Sequence, residues 1–244
     1  MKKYLSFIIY HLSFSVCVIL LLAGCSKKQT VKTSGFVERK DASFVLDGKE
    51  YRYVGTNFWY GAILASEGQG GDRARLLREL DKLHELGLDN LRILVGSDGM
   101  RGVTTKVEPT LQEAPGVYND TILAGLDYLL QQMGERGMKA VLYLNNAWEW
   151  SGGYGFYLEQ AGTGKAPRPN ETSYPEYMSF VSQFSTNTKA QELFFQYVRD
   201  IIGRTNRYTN VAYCDDPAIM SWQIGNEPRA FSDEAKEPFA KWLS

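Results

Sequence analysis

The sequence predicts an α/β protein of the (β/α)8 barrel class, supplying about the first four βα units behind an N-terminal hairpin. Three observations carry this. From Gly35 onward, apolar runs of strand length alternate with amphipathic helical stretches. The runs are apolar on both faces, as strands of a helix-covered parallel sheet are. Long aromatic loops follow the first and third runs, and no glycine-rich phosphate turn follows any of them. Loops at the strand C-termini are where barrels build their sites, so the closed barrel is favoured over the open doubly wound sheet.

The segment GFVERKDASFVLDGKEYRYVGTNF reads as a hairpin turning at Asp47-Gly48, then a first barrel strand through Tyr53 and Val54 that ends at Asn57. In DRARLLRELDKLHELG, Leu76, Leu80, Leu83 and Leu86 fall on one helical face and Gly87 is the stop. LDNLRILV is strand two. Ile122, Leu126, Leu129 and Met133 mark the next helix, and MKAVLYLN is strand three. Leu193, Phe194, Tyr197 and Ile201 mark the third helix, and AIMSWQIG is strand four. A barrel needs about 250 residues without insertions. This chain of 244 residues stops at AKEPFAKWLS, inside the expected helix after strand four, so the expectation is an N-terminal half.

Composition narrows the partners. With 27 basic against 28 acidic residues the net charge is −1, and no basic stripe exists to neutralise phosphates, which excludes nucleic acid. Residues 1–24 carry Lys2, Lys3 and an apolar run from Leu5 to Leu22, then LLAGC, an export signal whose end resembles a bacterial lipobox. Cys25 is therefore the expected lipidation site. Residues 25–34 are a polar linker, and residues 35–244 are the barrel portion. Cys214 then has no partner, so no disulfide framework is expected. The expected location is the bacterial cell envelope, tethered to the membrane at the periplasmic face or cell surface.

Polar residues at the strand C-termini are the site candidates: Asn57, Arg92, Asn145, Asn146, Asn226 and Glu227. In WQIGNEPRA, residues 222–230, a carboxyl sits beside an amide. That pair suits glycoside hydrolysis, one group protonating the leaving oxygen while the other bonds the sugar's 2-hydroxyl. Pro228 would lock the backbone and end the strand. A helix-capping Asn-Glu pair is the local alternative, and for Arg92 alone it is a salt bridge. Trp59 and Trp148 follow strand ends beside asparagine and glycine, where indoles stack on pyranose faces. Trp222, within strand four, reads as packing. Trp150, Tyr154, Tyr157, Tyr174 and Tyr177 are candidates to line a cleft. Asn119-Asp120-Thr121 and Asn170-Glu171-Thr172 match a glycosylation pattern, but Asn119 reads as a helix cap. Only His84 remains once the signal is removed, and no carboxylate run has calcium-loop spacing, so neither metal nor cofactor is expected.

GNEP at the end of strand four resembles the signature of glycoside hydrolase family 5. RTNRYTNVAYCDDPAIMSWQIGNEPR, LNNAWEWSGG and GTNFWYG are similar, more narrowly, to that family's endo-β-1,4-mannanases, from about Gly35 to the last residue. The resemblance implies Glu227 as general acid/base, Asn226 as the 2-hydroxyl partner, and Arg92 beside the nucleophile carboxylate. Trp59, Asn146, Trp148 and Arg229 would contact substrate. In the family the nucleophile lies on strand seven, which this chain lacks. Neither Glu149 nor Glu159 is expected to replace it. The implied activity is retaining endo-hydrolysis of mannan, glucomannan or galactomannan, with the fragment alone inactive. A β-1,4-glucanase of the same family and a non-catalytic glycan-binding lipoprotein remain open.

Overall fold

A computed structural model describes residues 35–99, 106–168, 171–228 and 233–243, all within the compact unit Thr33–Ser244. The predicted signal, linker and Cys25 lie outside them, as does Arg229. Among the described residues no helix is long and apolar enough to cross a membrane.

Three short strands, β1 (Val37–Lys40), β2 (Ser43–Leu46) and β3 (Lys49–Glu50), form an antiparallel sheet. Its second turn is at Asp47-Gly48, where both residues take positive φ (51° and 78°), the backbone a two-residue hairpin turn requires. The ammonium of the buried Lys139 donates to the carbonyls of Gly35 (2.8 Å) and Pro217 (2.7 Å), fastening the start of the hairpin unit to the foot of the barrel sheet.

That sheet is parallel, in the order β4 (Gly55–Asn57), β5 (Asn90–Leu94), β8 (Lys139–Tyr143), β9 (Ile219–Gln223). β4 starts two residues later than the sequence suggests. Tyr53 and Val54 remain 43% and 65% exposed ahead of it, so the apolar pair is not part of the ladder. β9 ends at Gln223, five residues before Pro228. An isolated bridge between Asn146 and Asn226 extends the pairing beyond it, so the proline does not terminate the strand.

The described residues form seven α-helices. α1 is Gly61–Leu64, α2 Arg73–Glu85, α3 Asp120–Glu135, α4 Gly153–Ala161, α5 Tyr174–Ser182, α6 Thr188–Ile202 and α7 Asp233–Leu243. Asp72, Asn119, Ser173 and Asn187 cap α2, α3, α5 and α6 by accepting from first-turn amides, so Asn119 is a cap. Leu76, Leu80, Ile122, Leu126, Leu129, Met133, Phe194, Tyr197 and Ile201 pack on Leu91, Ile93, Ala140 and Leu142. Each large apolar side chain so buried contributes about 1.5–3 kcal/mol. Leu86 does not join this core. It is the residue after α2 and is 63% exposed, because the helix ends before bringing it round.

The loops carry elements that periodicity did not reveal. After β5 comes a small hairpin, β6 (Gln112–Ala114) and β7 (Val117–Tyr118). After β8 come α4 and α5, which wall the C-terminal end of the sheet. Trp222 is half-buried against the core, as a packing residue would be.

Candidate active site

The concave face of the sheet is a hollow of about 500 Å³, lined by Tyr53, Gly55, Asn57, Arg92, Val141 and Gln223 among others. Arg92 is its hub. Asn57 and Arg92 pair across β4 and β5. The Arg92 guanidinium donates to Gln223 Oε1 (2.8 Å), Asn226 Oδ1 (2.9 Å) and, more weakly, Asn57 Oδ1 (3.4 Å), and it lies 4.1 Å from the centre of the Tyr143 ring. A planar fork with five donors suits this task, and an ammonium would not. Arg92 is the middle residue of β5, not its end as the sequence suggests, and its one cation ties β5 to the ends of β4 and β9.

Asn226 is fixed from both sides. Its Oδ1 accepts from Arg92, and its Nδ2 donates to Asn146 Oδ1 at 3.1 Å. This sets the amide orientation and leaves the second Nδ2 hydrogen for another acceptor. Asn146 is fully buried. It sits behind Asn226, and its own Nδ2 has no hydrogen-bond partner. Asn145, equally buried, accepts the Asn226 amide on its backbone oxygen at 2.7 Å.

Glu227 is exposed and has a positive φ of 47°. That is an uncommon conformation for a non-glycine residue, and such strain, of order 1–3 kcal/mol, concentrates at functional sites. Its Oε2 accepts from Trp148 Nε1 at 3.1 Å. The carboxylate lines a hollow of about 400 Å³ with Trp148, Trp150, Tyr174 and Met178. Asn226 and Glu227 are therefore neighbours in sequence with separate duties. One is locked into the polar strand-end array; the other stands in an aromatic bowl.

Of the remaining aromatic candidates, Trp59 is 44% exposed and lines neither hollow. Tyr157 and Tyr177 are core residues, at 0% and 1% exposure. Tyr154 stacks on Phe184 with ring centres 4.1 Å apart. Glu149 accepts from the Tyr174 hydroxyl and Glu159 from the Ala166 amide. Among the described residues no group of three or more His, Cys, Asp or Glu side chains is placed to hold a metal ion.

Sequence reasoning missed Asp98, which lies beyond the end of β5 and is wholly buried. Its carboxylate accepts from Gln112 Nε2 (3.1 Å), Asn145 Nδ2 (3.0 Å) and the Tyr157 hydroxyl (3.2 Å). Burial pushes its pKa up to about 7, against the opposing pull of these donors and of nearby Lys106. Lys106 donates to the Asp98 backbone oxygen. An Asp-Gly pair just past a strand end was the available signal, but it reads as an ordinary turn.

Parallel strands thus carry an arginine-amide array on one face, and beyond their ends one exposed carboxylate stands in an aromatic bowl. The chain belongs to glycoside hydrolase family 5: the family model described as "GH family 5 beta-mannosidase-like" matches residues 34–244. A putative mannan endo-1,4-beta-mannosidase 4 of Arabidopsis thaliana is 29% identical over 234 residues, 94% of this chain and 53% of that protein. An alanine variant of the family 5 mannosidase of Rhizomucor miehei superposes with a TM-score of 0.78 at 33% identity, covering 86% of this chain and 53% of that one. The endo-1,4-beta-mannanase of Rhizomucor miehei superposes with a TM-score of 0.62 at 29% identity, covering 80% and 49%. These neighbours are (β/α)8 barrels, and the chain spans about half the length of the curated relatives it matches.

Proposed function

We propose that this chain contributes the acid/base half of a retaining glycoside hydrolase acting on β-1,4-mannosidic bonds in mannan, glucomannan or galactomannan. The observation that carries this is the Glu227 carboxylate, exposed in an aromatic bowl and held by Trp148 beside the fixed amide of Asn226. Glu227 gives its proton to the leaving oxygen as the glycosidic bond breaks. The free Nδ2 hydrogen of Asn226 bonds the sugar's 2-hydroxyl, a contact that strengthens in the oxocarbenium-like state. Trp148, Trp150 and Tyr174 offer ring faces to a pyranose. A retaining mechanism needs a second carboxylate about 5–5.5 Å from the first. Later barrel strands would bring it near Arg92, whose charge keeps a neighbouring carboxylate ionised.

Exo-action on mannosides is the second reading. Its support is the family description and the higher TM-score to the Rhizomucor mannosidase than to the mannanase of the same organism. We further propose export and membrane tethering through a lipid on Cys25, on the strength of the LLAGC sequence.

The test uses the full-length protein, meaning this chain with whatever its gene encodes beyond Ser244. Linear mannan should be cleaved much faster than carboxymethylcellulose, because a site bonding an axial 2-hydroxyl leaves polar groups unpaired with glucose. Equal rates would move the assignment to the glucanase reading, and binding without hydrolysis to a glycan-binding protein. A mixture of oligosaccharides in the first minutes marks endo-action, whereas mannose alone marks exo-action.

A further inference from the structure

We propose that Asp98 is the positioning residue for Glu227, holding the turn Asn145–Trp148 on which the end of β9 and the Glu227 carboxylate both rest. This builds on Glu227 as the acid. The chain of contacts is short. Asn145 Nδ2 donates to Asp98 Oδ2, and the Asn145 carbonyl accepts the Asn226 amide one residue before Glu227. The next residue, Asn146, holds the Asn226 side chain, and Trp148 holds the Glu227 carboxylate.

Asp98 is itself gripped from four directions. Besides Gln112 on β6, Asn145 after β8 and Tyr157 on α4, its backbone amide donates to the Ser151 carbonyl at 3.0 Å. Gly152 follows at φ 104°, and a Cβ there would lie 2.4 Å from the Asp98 oxygen, so the β8 loop is pressed directly onto Asp98. The charged and titratable groups nearest the carboxylate are Lys106, Tyr157, Tyr118 and Tyr197. A wholly buried carboxyl group is expensive unless it is fully hydrogen-bonded, and this one satisfies that condition through one donor from the loop after β5, Gln112, and two from the loop after β8, Asn145 and Tyr157.

Asparagine at position 98 is too mild a change to cut this link. An amide offers one acceptor, so either Gln112 or Asn145 is left facing a donor. Gln112 cannot turn over without losing its Oε1 contact to the Gly116 amide. Asn145 is then the one facing a donor, but its Oδ1 has no hydrogen-bond partner, so it can turn its amide over and accept, as Tyr157 can by rotating its hydroxyl; alanine at position 98 removes all three contacts.

The experiment compares Asp98→Ala with Glu227→Gln in the full-length protein, on mannan and on a dinitrophenyl mannobioside whose leaving group needs no proton. A misplaced acid loses roughly 10–100-fold in kcat on mannan, with KM little changed and the burst rate on the activated substrate nearly retained. Hydrogen exchange in 145–148 and 224–227 should rise by roughly tenfold or more relative to α3. Equal loss on both substrates, or unchanged exchange, overturns the proposal. If Asp98→Ala does not fold, Asn145→Ala cuts the same link, and the same split or its absence decides. If Glu227→Gln itself fails to discriminate the substrates, the acid assignment falls, and the exchange data still decide whether Asp98 holds the turn.

Discussion

Asp127, in the middle of α3, fastens the long strap between α6 and β9, and replacing it should destabilise the fold severely. Its side chain is 0% exposed and accepts from Arg204 Nε (3.0 Å), Arg204 Nη2 (2.6 Å), Arg207 Nε (3.2 Å) and the Tyr213 hydroxyl (2.7 Å). The Asp127→Asn variant keeps the volume but leaves the Arg204 guanidinium, only 18% exposed, without its counter-charge. Breaking one side of a buried pair in this way costs about 3–5 kcal/mol. The control is an exposed pair to the same strap. Asp120, paired with Arg207, is 73% exposed, so Asp120→Asn should change stability by only about 0–1 kcal/mol. Urea denaturation followed by circular dichroism gives both numbers. If Asp127→Asn lost no more than about 1 kcal/mol, or the two variants lost equally, the strap would not depend on this buried pair.

Two further outcomes follow from named contacts. Arg92→Lys keeps the charge but cannot reach Gln223 and Asn226 together, so one charge-assisted bond worth about 1.5–3 kcal/mol is lost and kcat/KM on mannan should fall roughly 10–100-fold; a change under about twofold would remove Arg92 as the hub. Cys25→Ala should leave an unprocessed precursor or release the protein from the membrane fraction, and radiolabelled palmitate entering wild type and variant equally would refute lipidation at that thiol.

The helix and strand order was legible because apolar periodicity is local: the core positions of α3 are Ile122, Leu126, Leu129 and Met133, as their spacing implies. Element ends were less legible. Leu86 and Tyr53 carry the right residue type one and two residues outside the element that would bury them. In the candidate site, polar residues at strand ends were visible as types, but their division of labour was not. Whether Asn146 faces sugar or braces Asn226 depends on a neighbour 80 positions away. Asp98 is more hidden still, since its three side-chain donors come from separate elements and nothing near it in sequence announces burial. The aromatic bowl was half visible: Trp148, Trp150 and Tyr174 stood out by composition, and Met178 enters only through the placement of α5.

The most direct test is Glu227→Gln in the full-length protein. Glutamine keeps the shape and can still accept from Trp148, but it has no proton to deliver. Mannan, with its basic leaving group, should lose roughly 10²–10⁴-fold in rate, while the glycosylation burst on a dinitrophenyl mannobioside should lose far less. Turnover after the burst should be slow, because water then attacks without a base, and added azide should speed it, because azide needs no deprotonation. Equal loss on both substrates with no response to azide would contradict Glu227 as the acid/base.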